Sequence, residues 1–416
     1  MLQDKRLQKN ILAMYFVQFA NMIVPLMTTP YLARVLGLQS FGQLAFAQAA
    51  AMYFVLITDW GFTLSAPAQL IRAAKAGNST TQIFNDVISA KLILLAASFA
   101  LVVIGTLILP TERQNWDLHF AAWLICAGNL LTVGWALQAQ ERLDLLAIST
   151  FVGKITVLPI TFLLVHGPED TWWAALINSL SVVVTGIISL ILARKHIAYQ
   201  WQFSFKGAIS QLKLSVDIFL SNAAVSMYTF SSTVILGVLS SPTEVALFSS
   251  ADKIRATVQS FIGPINQTMY PKAHLAAAES DLAVKAHIRR IFIIQMAISG
   301  IMTVFLLAGA PHLITLIYGS QFSEAVPVLR LLAFLPLVIG ASNVFGLQGM
   351  LPLAMNKLFS RIVVLTAVVS FALLIPLAFH YGAIGAAWAA IICELLVTIL
   401  MALALYKRLH TINKNR

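Results

Sequence analysis

Long apolar runs separated by short polar segments recur along the whole chain. A membrane-spanning helix needs about 20 apolar residues at a rise of 1.5 Å per residue, and twelve runs reach this length. They cover residues 11–36, 43–66, 83–109, 118–138, 145–165, 172–193, 214–239, 244–270, 290–318, 325–352, 359–379 and 382–406. The strands of a membrane barrel alternate between polar and apolar residues, and these runs do not. The pattern predicts an all-α integral membrane protein with twelve transmembrane helices.

The composition agrees with a membrane protein. Of the 416 residues, 59% are hydrophobic and 10% are charged, whereas soluble domains carry about 25% charged residues. The net charge of +11 does not indicate a nucleic-acid partner, because the basic residues lie in short loops where membrane orientation explains them. Cys126 and Cys393 lie within apolar runs and have no metal-binding spacing. We therefore expect no nucleic acid, no metal and no other cofactor.

Lysine and arginine are distributed unevenly among the loops. If the N terminus lies inside, the cytoplasmic segments hold twenty of these residues and the outer loops hold only Arg113. Positive charge near short loops favours the cytoplasmic side, so both termini are predicted to be cytoplasmic. No cleavable signal is expected, because the basic N terminus leads directly into a span that is too long for one.

A weak internal repeat divides the chain into halves. Residues 35–50 align with residues 238–253, an offset of 203 positions. We predict an N-terminal six-helix bundle at 1–193, a cytoplasmic linker at 194–213 and a C-terminal six-helix bundle at 214–416. Because six is an even number, the two bundles run in parallel and would enclose a central cavity. The linker is basic and aromatic, as expected of an amphipathic segment resting on the inner leaflet.

The predicted eighth helix, within residues 244–271, carries charges well inside its apolar length. Asp252 and Arg255 share one stripe with Gln259, and Lys253 lies beside that stripe. A charged side chain at membrane depth costs at least about 2.5–3.5 kcal/mol, so such residues usually face a bundle interior or an aqueous cavity. We interpret this helix as one wall of a cationic cavity, with Asp252 as a plausible local partner of Arg255.

Other charges also lie within the predicted spans: Arg34, Asp59, Lys91, Lys154, Asp217, Arg330 and Glu394. Counting from the helix ends places Lys91, Lys154 and Glu394 near mid-depth, Arg34 and Arg330 in the outer part, and Asp59 and Asp217 toward the cytoplasm. One interpretation is that these charges pair with one another and only fix helix packing. The other is that the excess of cations binds an anionic ligand, since Arg and Lys recognise oxyanions.

Two acids are candidates for ion coupling. Glu394 and Asp252 lie within spans of the C-terminal half. An embedded carboxyl group can take up and release a proton, which would allow an ion gradient to drive transport. An acid held permanently by a neighbouring base is the alternative.

Three segments resemble a known family. Residues 30–62 (PYLARVLGLQSFGQLAFAQ onward), 246–271 (ALFSSADKIRATVQSFIGPINQTMYP) and 317–351 (IYGSQFSEAVPVLRLLAFL onward) resemble, in this order, segments of bacterial O-antigen and polysaccharide flippases of the Wzx type. That family lies within the multidrug/oligosaccharidyl-lipid/polysaccharide exporter superfamily. The resemblance covers nearly the whole chain.

The resemblance implies a non-enzymatic flippase with a cationic lumen between two bundles. It would move undecaprenyl-pyrophosphate-linked oligosaccharide across the bacterial cytoplasmic (inner) membrane. Its partners would be the lipid-linked substrate, membrane lipids, a polysaccharide polymerase and a chain-length regulator. The predicted substrate-binding residues are Arg255, Lys253, Lys91 and Arg34, which match family positions, and Lys154 and Arg330, which rest on depth alone.

Three other functional classes compete with a flippase. A multidrug or small-molecule antiporter of the same architecture is the main alternative, although the embedded bases outnumber the acids that would suit cationic drugs. A major-facilitator carrier would show a characteristic loop between helices 2 and 3, and residues 66–86 lack it. A glycosyltransferase or polymerase would need a large extramembrane loop or an acidic catalytic motif. No P-loop is present, so ATP is not expected to drive the protein directly.

Overall fold

The chain is helical throughout the part that the structure describes. The structure is a computed structural model that describes residues 2–77, 79–108, 115–194 and 202–414, and within these ranges it contains helices and no strand. Eight of the described segments are long and apolar enough to cross a membrane. The prediction of an all-α, multi-pass membrane protein is therefore confirmed. The count of twelve spans and the parallel arrangement of two bundles stay predictions.

The helices follow the predicted apolar runs. Their bounds are α1 Leu2–Asp59, α2 Phe62–Lys75, α3 Thr80–Ile108, α4 Trp116–Leu131, α5 Gly134–Ala139, α6 Leu143–Leu164, α7 Thr171–Ala193, α8 Phe205–Leu239, α9 Pro242–Gln259, α10 Gly263–Glu279, α11 Asp281–Tyr318, α12 Ala325–Leu332, α13 Leu335–Phe345 and α14 Asn356–Lys414. Short 3-10 turns occupy residues 168–170, 260–262 and 320–322, and a π-helical turn occupies residues 346–350.

The two longest helices are each interrupted by one glycine. Gly37 in α1 has φ of 73°, and Gly382 in α14 has φ of 53°. Residues with a side chain rarely adopt such angles, so glycine permits a sharp turn at these positions, and the helix resumes directly after it. The apolar segments Ile23–Lys75 and Asn356–His410 contain 53 and 55 residues. Unbroken, each would be about 80 Å long against a hydrocarbon layer of about 30 Å, so each has the length for two crossings.

Several predicted spans are less continuous than the sequence indicated. The span 43–66 is broken at Trp60 and Gly61, which both have positive φ. The span 244–270 contains the 3-10 turn before Pro264, a residue that cannot donate a backbone hydrogen bond. Apolarity predicts how much chain lies in the membrane, but it does not register these local breaks.

The breaks recur at the offset found in the sequence. Adding 203 to Gly37 gives Ser240, which lies between α8 and α9. Adding 203 to Gly61 gives Pro264, the second residue of α10, directly after the 3-10 turn at residues 260–262. Adding 203 to Lys75, the last residue of α2, gives a position one residue before Glu279, the last residue of α10. The two halves therefore share helix interruptions as well as a short stretch of sequence.

By compactness the chain divides into a first unit, Met1–Ser226, and a second unit, Met227–Arg416. The core of the first unit is formed by buried side chains that include Phe62, Phe84 and Trp135. The core of the second unit includes Ile291 and Met401.

The predicted linker, 194–213, is only partly visible. Residues 195–201 lie outside the described part of the chain, as does Arg113. Residues 205–213 form the first turns of α8, and Ala208 and Gln211 are buried. One face of this stretch therefore packs against protein in the first unit, while Phe205, Lys206 and Lys213 on the other face are exposed. That the linker rests on the inner leaflet stays a prediction. The bundle boundaries at 193 and 214 stay predictions.

Candidate functional site

Lys91 is the most deeply buried of the predicted site residues. It lies on α3 with 1% of its surface exposed. Its Nζ is 3.7 Å from Oδ1 of Asp59. The same nitrogen donates two hydrogen bonds to Asn129, one to the side-chain Oδ1 at 3.2 Å and one to the backbone carbonyl at 3.3 Å. A buried ammonium group needs such neutralisation, because desolvation of an unpaired charge is very costly.

The break between α1 and α2 holds the carboxylate of this pair. Asp59 is the last residue of α1, and it accepts a hydrogen bond of 2.7 Å from the hydroxyl of Thr63 in the first turn of α2. The turn through Trp60 and Gly61 thus brings the side chains on both sides of the break together. The ends of the side chains of Lys91 and Asp59 therefore meet, and the membrane depths predicted for the two residues stay predictions.

The first half of α8 is packed onto the same break. The indole of Trp60 stacks on Phe219 with ring centroids 3.9 Å apart, and its Nε1 donates to the carbonyl of Leu212 at 3.0 Å. A Cβ atom on Gly61 would lie 2.7 Å from Ile218, so only glycine fits there. These contacts hold the break, and with it Asp59, in a fixed position.

Lys154 has a different environment. It lies on α6, is partly buried, and has no hydrogen bond or ion pair within the described residues. The backbone beside it is fixed, since the carbonyl of Gly153 accepts a hydrogen bond of 2.8 Å from Ser181 on α7. A Cβ atom on Gly153 would overlap Thr185, so α6 and α7 approach closely there. Lys154 is therefore a partly buried cation on a rigid support.

Arg255 forms a local cluster on α9. Its Nε donates to Oδ1 of Asp252 at 2.8 Å, one terminal nitrogen also contacts that oxygen, and the other donates to Oε1 of Gln259 at 2.5 Å. The side chains of Arg255 and Asp252 are 15% and 33% exposed. The predicted stripe and the predicted pairing of Arg255 with Asp252 are confirmed. These bonds use three of the five N–H donors of the guanidinium group.

The remaining predicted residues occupy varied positions. Lys253, Arg330 and Arg34 are exposed on α9, α12 and α1. Glu394 is 8% exposed on the second half of α14, where its backbone carbonyl accepts a hydrogen bond of 2.7 Å from Thr398. The structure gathers Lys91 with Asp59 in the first unit and Arg255 with Asp252 in the second. The predicted roles of all these residues in binding or ion coupling stay predictions.

Sequence reasoning missed Glu244. Ser241 accepts a hydrogen bond of 3.3 Å from the backbone N–H of Glu244 and thereby caps α9. The carboxylate of Glu244 accepts a hydrogen bond of 2.6 Å from the backbone N–H of Ala383, which directly follows the turn at Gly382. A carboxylate is favourable at a helix N-terminus. The Ser-x-x-Glu spacing signals a capping box, but it could not reveal this distant partner.

No group of three metal-binding side chains occurs among the described residues. Cys126 and Cys393 are free and buried. The described residues therefore offer no metal-binding or disulfide site beside the charged clusters.

Comparisons with known proteins extend over nearly the whole chain. Residues 7–273 match the family described as "Polysaccharide biosynthesis protein". The chain is 31% identical over 396 residues to the "Putative O-antigen transporter" of Escherichia coli (strain K12), covering 95% of each protein.

Two solved structures show the same fold at 14% identity. A lipid II flippase, MurJ, in an inward closed conformation has a TM-score of 0.71 and covers 95% of this chain and 87% of its own. An inward-facing multidrug resistance transporter of the MATE family, in the MOP superfamily, has a TM-score of 0.69. The match covers 97% of this chain and 99% of the transporter chain.

Proposed function

Because this chain belongs to the polysaccharide biosynthesis protein family, we propose that it is a flippase for lipid-linked oligosaccharide units of the O-antigen type. The observation that carries the proposal is the end-to-end likeness to the "Putative O-antigen transporter" of Escherichia coli, with 31% identity across 95% of both chains. The relatives are transporters and not enzymes. The resemblance to solved flippase and multidrug transporter structures supports the fold alone, because the identity is only 14%.

The proposed substrate is an oligosaccharide joined through pyrophosphate to a polyprenyl lipid such as undecaprenol. A diphosphate cannot cross hydrocarbon unaided, because the cost of removing its hydration would be prohibitive. Basic side chains within the helices offset part of that cost by charge-assisted hydrogen bonds. The polyprenyl tail would remain in the lipid while the glycan and the diphosphate pass between the helices.

Among the basic residues, Lys154 is the strongest candidate for the anion. Lys91 and Arg255 each have a carboxylate within the chain, whereas Lys154 has none within the described residues. We propose that Lys154 contacts the diphosphate or an acidic sugar directly. Lys91, Arg255, Lys253, Arg34 and Arg330 would then contribute mainly to the positive potential that attracts it.

The proposed architecture has twelve transmembrane helices in two parallel six-helix bundles, with both termini on the cytoplasmic side of the inner membrane. The recurrence of the helix breaks at an offset of 203 residues supports a repeat of this kind. Transport by alternating access would follow from movement of one bundle against the other. A polymerase and a chain-length regulator are the expected protein partners.

Glu394 and Asp252 are the two acids that we propose for ion coupling. Asp252 is engaged by Arg255, so it would have to exchange that partner in order to take up a proton. Glu394 is a buried acid on a helix that contacts α13 through Thr398. The multidrug antiporter alternative has support only from the shared fold, whereas the sequence relative at 31% identity favours the oligosaccharide flippase.

The test is complementation of a strain that lacks the gene. Loss of the protein should cause lipid-linked repeat units to accumulate on the cytoplasmic side, and the wild-type gene should clear them. Lys154→Ala should reduce clearance at least tenfold, since it removes the positive charge that binds the anion. Lys154→Arg keeps a positive charge and should retain most of the clearance. Lys357→Ala removes an exposed lysine at the start of α14 and serves as the matched control.

The two levels of the proposal fail separately. If the deletion strain accumulates no lipid-linked units, the flippase proposal is wrong. If it accumulates them and Lys154→Ala clears them as well as Lys357→Ala does, only the role of Lys154 is wrong.

A further inference from the structure

A row of buried polar side chains on α11 has no partner within the described residues. Gln295 and Ser299 are 0% exposed and Thr303 is 6% exposed. Neither polar atom of Gln295 makes a hydrogen bond, and neither do the hydroxyls of Ser299 and Thr303. The three residues follow one another at intervals of four, so they lie along one ridge of the helix.

This row differs from other buried hydroxyls of the same protein. Thr366 donates to the carbonyl four residues earlier at 2.8 Å, and Ser149 in the first unit does the same at 2.8 Å. Such a bond to the preceding turn is the usual solution for Ser and Thr within a membrane helix. Ser299 instead points toward α13, because a Cβ atom on Gly340 would lie 2.5 Å from its hydroxyl oxygen.

Unpartnered polar groups are more costly within a membrane protein than at a wet surface, because no lipid can satisfy them. Gln295 makes the case strongest, since both ends of its amide lack a partner. Buried polar groups of this kind are normally satisfied by ordered water, which needs two to four polar neighbours. The three side chains are uncharged and offer both donors and acceptors, which is what a bound water molecule needs.

The N-terminal end of α11 continues this polarity. Among the described residues, Oε1 of Gln348 and Oδ1 of Asn266 have no hydrogen-bond donor, and His287, two turns before Gln295, lies beside Gln348. Gln348 lies in the π-helical turn at 0% exposure, and its Nε2 donates to the carbonyl of Asn266 at 3.1 Å. π-Helical turns occur frequently at functional sites. Polar groups with unused hydrogen-bonding capacity therefore extend from this junction to Thr303.

We propose that Gln295, Ser299 and Thr303 form a water-binding file between α11 and α13 in the second unit. Water in this file satisfies the amide of Gln295 and the two hydroxyls. The water molecules take the place of direct contacts between the two helices, and their hydrogen bonds exchange readily. α11 can therefore shift against α13 at little cost in free energy.

Cysteine labelling in intact membranes tests the file. A water-soluble maleimide reacts with a thiol only where water reaches it. In a background carrying Cys126→Ala and Cys393→Ala, Gln295→Cys should label at least tenfold faster than Leu306→Cys. Leu306 is also 0% exposed and lies three helical turns further along the same face of α11, so it controls for burial. Equal labelling rates for the two variants would overturn the proposal.

A second measurement covers the case in which the cysteine variant does not fold. Gln295→Met keeps the length of the side chain and removes both unpartnered groups. Because Met leaves bound water with fewer polar partners, backbone amide hydrogen–deuterium exchange at residues 295–303 should be slower in the variant than in the wild type. The melting temperature in detergent should stay near the wild-type value, because Met fills the same space without unpartnered polar groups. Faster or unchanged exchange at residues 295–303 would contradict a water-filled contact. Neither measurement depends on whether the protein transports oligosaccharide.

Discussion

Removing the carboxylate of Asp59 should strongly destabilise the first unit. Lys91 is 1% exposed, and its Nζ lies 3.7 Å from Oδ1 of Asp59. At an effective dielectric constant of about 20, this separation corresponds to an interaction of about 4 kcal/mol. Breaking a buried pair by removing one partner costs about 3–5 kcal/mol, because the other charge remains buried and uncompensated. Since Asp59 retains some exposure, we expect Asp59→Asn to cost about 3 kcal/mol.

The double variant separates structure from substrate binding. Lys91→Met with Asp59→Asn removes both charges, so the stability lost in Asp59→Asn should be largely regained; the acceptor atoms of Asn129 would account for a remaining loss of about 1 kcal/mol. If Lys91 also binds substrate, this folded double variant will not clear lipid-linked units. If Lys91 only holds the helix break, clearance will recover together with stability.

The assay is thermal unfolding of the purified protein in detergent, with clearance measured in the complemented strain. Asp144→Asn is the matched control, because Asp144 pairs with Arg142 at 3.0 Å but Arg142 is 26% exposed. Because the guanidinium group of Arg142 keeps contact with water, losing its partner should cost less than leaving the ammonium group of Lys91 buried and unpaired, so the control should unfold at a higher temperature than Asp59→Asn. The reasoning is refuted if Asp59→Asn melts no earlier than Asp144→Asn, or if the double variant is no more stable than Asp59→Asn alone.

Two glycine substitutions test the helix junctions. Gly382→Ala should lower stability by about 2 kcal/mol or more, because φ is 53° there and the new Cβ overlaps the carboxylate of Glu244. The control Gly300→Ala, at a position with open space around it, should be neutral or stabilising by up to about 1 kcal/mol. Equal melting temperatures for the two variants would contradict this prediction. Gly207→Ala should weaken the attachment of α8 to the first unit, because its Cβ overlaps the carboxylate of Asp86; limited proteolysis should then cut the start of α8 faster than in wild type, and an unchanged cleavage rate would show that this contact does not hold α8.

The sequence predicted those features that depend on neighbouring residues. Apolar length located the membrane helices, since a span is a local property of about 20 residues. The pairing of Asp252 with Arg255 was also accessible, because residues three apart share a helix face. The partner of Lys91 was not accessible, since Asp59 lies 32 positions earlier and reaches it only through the turn at Gly61. Glu244 and Ala383 are 139 positions apart, and no periodicity links them.

The positions of the acids divide the embedded bases into two groups, and this division is the main consequence for mechanism. A base that already has a carboxylate, such as Lys91 or Arg255, gains less from an approaching diphosphate, because the anion must compete with or repel that carboxylate. A base without one, such as Lys154 within the described residues, gains the full interaction and has no competing partner to displace. The cationic character of the helices alone does not identify the substrate-binding residues. We therefore expect anion affinity to follow the absence of an internal acid more closely than it follows burial, so that Lys154→Ala weakens transport more than the charge-neutral double variant at Lys91 and Asp59 does.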